Sequence, residues 1–114
     1  MKIDKNMNNL GVAELLRSVA AAYQIRDQFK YKFKIIAYER ASDAVEHLSS
    51  EAKDLWDDGK IEDVPGIGES IAKHLDEIFK TGKSMHFAEV MKGLPESMFE
   101  LMKVPGIGAK TAFR

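Results

Sequence analysis

Two five-residue stretches carry the clearest chemistry in this sequence. Val64-Pro65-Gly66-Ile67-Gly68 returns letter for letter as Val104-Pro105-Gly106-Ile107-Gly108, forty residues on. Proline fixes φ and ends the segment before it. Glycines lack a Cβ, so they admit positive φ and let another backbone come close. The isoleucine between them can plug into a core. Each copy then leads into a helical segment, whose first N–H groups have no intrahelical partner and sit at the positive end of the helix dipole. Glycines just ahead of such an end suit it to an anion, above all a phosphate. Backbone contacts of this kind position a nucleic acid without reading its sequence. A plain connector between helices would need the glycines but not a shared Val, Pro and Ile, so the repetition favours a shared role. A dinucleotide site is excluded, because Ile71 stands where a third glycine is needed and no strand precedes. No Gly-Lys-Thr phosphate loop occurs, and no nucleotide cofactor is expected.

Helices must hold these turns. Asn8 or Asn9 can cap a first helix, with Leu10, Ala13, Leu16, Val19 or Ala20, and Tyr23 at helical spacing. It fades near residues 26–29. A second helix is expected over residues 33–48, burying Ile35, Ile36, Ala37, Ala41, Ala44, Val45 and Leu48, with Lys34, Tyr38 and Arg40 on or beside its other faces. Ser49 or Ser50 offers the cap of a short third helix that buries Leu55 and Trp56 and ends at Gly59. After the first repeat, residues 69–79 form a helix with Ile71, Ala72, Leu75, Ile78 and Phe79 on one side, stopped by Thr81-Gly82. Residues 87–91 form a shorter one. Another begins at Pro95 or Glu96 and runs to Lys103, with Met98, Leu101 and Met102 apolar. Residues 109–114 open a last helix of less than two turns, marginal alone, as expected of a piece cut from a longer chain. No stretch alternates with period two. The expected fold is all-α, a compact helical bundle in which the repeated turns are built into the helix connections.

The composition sets limits. Of 114 residues, 45% are hydrophobic and 31% charged, enough to bury a core. There is no cysteine, which excludes disulfides, thiolate metal sites and a cysteine nucleophile and fits a reducing cytosol. No apolar run approaches a membrane span of roughly 18 residues, and residues 1–9 lack a signal-peptide core. A cytoplasmic protein without a membrane partner is expected. The 17 basic and 18 acidic side chains leave a net charge of −1, which argues against a protein that lives by non-specific adhesion to DNA but leaves room for a local site. Residues 26–40 carry a local +3 through Arg26, Lys30, Lys32, Lys34 and Arg40. Residues 54–63 are acidic and should lie off any path of DNA. His74 and Asp76 lie close in sequence but have no obvious third ligand, so no zinc site is expected.

Val64-Pro65-Gly66-Ile67-Gly68-Glu69-Ser70-Ile71-Ala72-Lys73-His74 and Val104-Pro105-Gly106-Ile107-Gly108-Ala109-Lys110-Thr111 resemble helix-hairpin-helix motifs. Phe33-Lys34-Ile35-Ile36-Ala37-Tyr38-Glu39-Arg40-Ala41 is similar to the Lys/Tyr/Ala-rich helix in the amino-terminal domain of family X DNA polymerases, the polymerase beta type. Thr81-Gly82-Lys83 fits as well. The resemblance runs from about Asn9 to the end and implies two units. Residues 1–83 would be a lyase-like DNA-binding domain with the first hairpin. Residues 84–114 would begin a second, cut short after the second hairpin.

The resemblance further implies backbone phosphate contacts at Gly66, Gly68 and Ser70 on one hairpin and at Gly106, Gly108, Lys110 and Thr111 on the other. It implies a monovalent cation, Na or K, on the carbonyls of Glu62, Val64 and Ile67, and a second on those of Met102, Val104 and Ile107. It implies a 5′-phosphate pocket holding Lys34 and Tyr38, beside His74. Some family members remove a 5′-deoxyribose phosphate through a lysine Schiff base. That lysine position is His74 here, and a second basic position of the pocket is Ser70. Imidazole does not form the stable iminium that a primary amine does, and neighbouring Lys73 points roughly 100° away on a helix. No catalytic residue is therefore assigned, and lyase activity would have to use another amine such as Lys34 or Lys83. The metal-binding aspartates of a polymerase are missing, so polymerisation is expected only of a parent chain, a DNA-directed DNA polymerase in DNA repair. The expected function is a monomeric module that grips gapped, nicked or primer-template DNA. The alternatives are the lyase and a scaffold whose hairpins bind a protein.

Overall fold

The computed structural model describes residues 3–95, 97 and 98. Five α-helices follow one another: α1 Asn9–Asp27, α2 Lys32–Glu46, α3 Ala52–Asp57, α4 Glu69–Thr81 and α5 Met85–Met91, with a short 3-10 helix Ile61–Asp63 ahead of the hairpin. No strand occurs among the described residues, and the fold is all-α.

Helix α1 is the hub. Asn8 caps it, its side chain accepting from the Gly11 amide at 2.8 Å. Val12, Ala13, Leu15, Leu16, Val19, Ala20, Ala21, Ala22 and Tyr23 are all buried, so apolar contact surrounds most of its circumference rather than one stripe. The small side chains of residues 20–22 let neighbours approach from several sides. Leu10 is a correction to the expected stripe, since it is 58% exposed. It occupies the first turn of the helix.

Helix α2 packs along α1 through Ile35, Tyr38, Ala41, Ser42 and Val45. Ser42 is fully buried and donates to the Ala13 carbonyl at 2.8 Å, pinning the crossing. The expected buried face was rotated. Ile36 and Ala37 are exposed, while Tyr38 is buried, because Ile35, Tyr38, Ser42 and Val45 share one side at spacings of three and four.

The cap of α3 is also corrected. Neither Ser49 nor Ser50 caps it; Glu51 takes the capping position without a side-chain bond. Asn9 does the work from a distance, its Oδ1 accepting from the Ala52 amide at 2.6 Å and its Nδ2 donating to the Ser50 carbonyl at 2.8 Å. Trp56 of α3 is half-buried against Phe79 and donates to Asp76 of α4 at 2.7 Å. That bond first, then Lys80, holds the Asp76 carboxyl below its usual range against the opposing effect of burial.

Helix α4 buries Ile71, Ala72, Leu75, Ile78 and Phe79 and stops where Gly82 turns left-handed at φ +84°. Helix α5 starts earlier than expected because Ser84 caps it, accepting from the Phe87 amide at 3.2 Å. Arg26 at the end of α1 then closes its other end. Its guanidinium donates to the carbonyls of Val90 at 2.6 Å, Lys92 at 3.0 Å and Glu89 at 3.1 Å. A cation at a helix C-terminus answers both the orphan carbonyls and the dipole.

Candidate nucleic-acid interface

Residues 64–67 form a hydrogen-bonded turn. The Ile67 amide donates to the Val64 carbonyl at 3.0 Å. Pro65 occupies the second position and Gly66, at φ +99°, the third. That is the residue pattern of a type II turn, which demands positive φ at its third position. Ile67 is buried and roots the turn in the core. The two glycines then divide the labour. Gly66 lies against α2, where an added Cβ would stand 3.1 Å from the Ala44 Cβ and 3.4 Å from the Arg40 Cγ. Gly68 has φ −83° and ψ 170°, ordinary extended backbone, and nothing lies within 4 Å of where its Cβ would be. The freedom expected of both glycines is used only by the first; the second leaves space.

That space opens onto the start of α4. The first hydrogen bond there is Ala72 N–H to the Gly68 carbonyl at 2.9 Å, and the amides of residues 68–71 have no partner among the described residues. They border an open depression of about 450 Å³ that Ala37, Arg40 and Ser70 also line. Glu69 lines it too, and its carboxylate pairs with Lys73 at 3.9 Å, one turn further along the helix. Arg40 was missed as a hairpin residue. Its stem packs on the turn, and its guanidinium forms no ion pair among the described residues. The only signal in the sequence was its place in the basic stretch.

Gly66, Gly68 and Ser70 are thus brought together as expected. The carbonyls of Glu62 and Ile67 accept no hydrogen bond among the described residues, and that of Val64 accepts one. Free lone pairs are therefore present at all three. Met102, Val104, Gly106, Ile107, Gly108, Lys110 and Thr111 lie outside the described residues.

A second locus gathers Lys34, Tyr38 and His74. Tyr38 is buried between Tyr23 at 5.8 Å and Phe87, which meets it edge-on at 5.8 Å between centroids. Burial, then Tyr23, pushes its hydroxyl above the normal tyrosine range, so it stays a neutral phenol. The hydroxyl has no partner among the described residues, and no fully buried side-chain polar atom there lacks one, so the hydroxyl reaches solvent. His74 stacks on His86 at 4.3 Å with the rings 2° from parallel. His86 Nε2 lies 2.9 Å from the Tyr23 hydroxyl. Lys34 Nζ sits 5.9 Å from the Tyr23 ring. Tyr23 and His86 complete the cluster and were missed, since no local pattern ties residues sixty-three positions apart.

Residues 7–84 match the model of the helix-hairpin-helix domain. The chain belongs to that family. The helix-hairpin-helix domain is also similar to the DNA polymerase/3'-5' exonuclease PolX of Bacillus subtilis (strain 168), at 26% identity over 104 residues. That alignment covers 91% of this chain and 17% of the relative, so the chain spans about a sixth of the relative's length. Family and relative together agree with the resemblance to the helix-hairpin-helix region of family X polymerases, and they support a DNA-binding helix-hairpin-helix module.

Proposed function

We propose that this helix-hairpin-helix domain grips the sugar-phosphate backbone of gapped or nicked DNA, without sequence preference, as the DNA-engaging part of a repair polymerase. One observation carries the reading. The amides of residues 68–71, without partners among the described residues, open onto a depression that also presents Arg40, which pairs with no acid there. A phosphate seated there accepts from Ser70 and Gly68 N–H, meets the positive end of α4, and pairs with the guanidinium. Lys30, Lys32 and Lys34 extend the cationic surface along the start of α2 and form no ion pairs among the described residues. A Na or K ion on the carbonyls of Glu62, Val64 and Ile67 fits this site, because hard backbone oxygens with free lone pairs suit such an ion. It would supply positive charge under the phosphate.

Fluorescence titration of full-length chain against gapped, nicked and intact duplex tests the reading. Binding should favour gapped DNA and weaken as salt rises, each neutralised phosphate contributing about −0.9 to the log–log slope. Arg40→Gln should reduce that slope by about one. Equal affinity for intact and gapped duplex, or a slope that Arg40→Gln leaves unchanged, would refute it.

A further inference from the structure

Four helices contribute to the cluster around His74. Tyr23 comes from α1, Lys34 and Tyr38 from α2, His74 and Glu77 from α4, and His86 from α5. Both histidines are half-buried. We propose that the stacked His74–His86 pair makes capture of a terminal phosphate monoester in this pocket a proton-uptake event, so that the pocket holds its ligand in weakly acid solution and releases it as the pH rises. The inference rests on the reading of the domain as a DNA-binding module and specifies how one of its sites is regulated.

The geometry supplies the mechanism. Tyr23 is kept a phenol, since burial and then Tyr31 raise its pKa against the opposing pull of Arg26. Its hydroxyl therefore donates to Nε2 of a neutral His86, which fixes the Nδ1–H tautomer. A proton arriving at Nε2 reverses this bond. The imidazolium then donates to the Tyr23 oxygen, while the phenol keeps its own proton and turns that O–H toward another acceptor. Two imidazolium rings 4.3 Å apart and parallel repel each other. Lys34 adds a third positive charge, and Glu77 is the one carboxylate that counters it at both rings. Burial first, then these cations, hold both histidines below their usual pKa. The empty pocket is therefore neutral at its rings. A phosphate dianion supplies the missing countercharge, and proton and phosphate each favour the other's binding by linkage. Amines at the same places would stay charged throughout the neutral range; imidazoles do not.

Phosphate ionisation alone works in the opposite sense. A monoester gains charge as the pH passes about 6, so a pocket of fixed cations would bind it more tightly with rising pH. The sign of the pH dependence therefore discriminates. The test is NMR titration of the imidazole resonances of the full chain between pH 5 and 8, with and without inorganic phosphate, and with His47 outside the pocket as internal control. The same series is repeated as a binding titration with gapped duplex bearing a 5′-phosphate or a 5′-hydroxyl.

Phosphate should move the midpoints of His74 and His86 upward. The preference for 5′-phosphate should fall by up to about tenfold per pH unit for each proton taken up, between about pH 6 and 7.5. His74→Gln and His86→Gln should each flatten that fall. Midpoints unmoved by inorganic phosphate, or a 5′-phosphate preference that is constant or grows with pH, overturn the proposal. If phosphate moves both histidines while gapped duplex goes unbound at every pH, the linkage stands and the DNA-binding reading fails.

Discussion

Replacing Gly66 and Gly68 in turn by alanine should separate what holds the hairpin from what the hairpin holds. At Gly66 the backbone has φ +99°, where a non-glycine residue costs about 1–3 kcal/mol. The new methyl would stand 3.1 Å from the Ala44 Cβ, inside the roughly 3.5–4.0 Å at which carbon atoms pack best. The Arg40 carbonyl, 3.4 Å away, cannot swing aside as a side chain can. Reduced freedom of the unfolded chain returns about 0.4–1 kcal/mol. The net loss is about 2 kcal/mol, or roughly 10 °C in Tm for a domain of this size. At Gly68 neither the strain nor the crowding applies, because φ is −83° and the surrounding space is open. Alanine is a poorer N-cap than glycine, and its stiffer unfolded chain offsets this to within about 0.5 kcal/mol. The methyl would, however, project where a phosphate must approach. Loss of one such contact is worth about 1 kcal/mol, roughly fivefold in Kd. Thermal melts and DNA titrations of both variants provide the assay. Gly66→Ala melting with the parent protein would refute the account of the turn. Gly68→Ala binding gapped DNA like the parent would refute the account of the depression.

Arg26→Ala should remove three hydrogen bonds from the end of α5 and raise amide exchange across residues 85–92, while the α1–α2 core keeps its protection; unchanged exchange in α5 would show that the arginine is ornamental. Tyr38→Phe should leave stability within about 0.5 kcal/mol, because the hydroxyl has no partner among the described residues, whereas Tyr38→Ala should cost about 3–5 kcal/mol, as measured by urea unfolding. Acid should destabilise the protein through its histidines. The fold favours neutral His74 and His86, so their contribution is complete above the ordinary histidine value of about pH 6.5 and is lost as the pH falls from there towards their lowered folded values. The urea midpoint should drop between pH 7 and pH 5, and the double variant His74→Gln/His86→Gln should show a shallower drop.

Legibility in the sequence followed the range of the forces involved. Helix α4 could be read almost to the residue, because its apolar side, its start after Gly68 and its stop at Gly82 are all local. The burial of α1 on most sides could not, since Ala20, Ala21 and Ala22 look indifferent until neighbours arrive. The apolar stripe read from residues 35–48 leaves Tyr38 on or beside another face; packing between Tyr23 and Phe87 buries it instead. Of the residues proposed to meet phosphate, the glycines were legible through repetition. Arg40 and His86 were not, because each owes its place to a partner on another helix.

The link from Asn9 to the start of α3 has a consequence for the order in which the molecule assembles. Six residues are too few to sustain a helix alone. The side chain that caps α3 arrives from forty-three positions earlier in the chain, so the cap exists only after that long loop has closed and its entropy has been lost. Helix α3 is therefore expected to order late, after α1 and α2 have paired. A chain trimmed even to Leu10 would keep every residue of α3 and still lack the group that starts it. Through Trp56 and Asp76 the disturbance would reach α4, the helix proposed to meet phosphate, although the cut lies about sixty residues before it in the sequence.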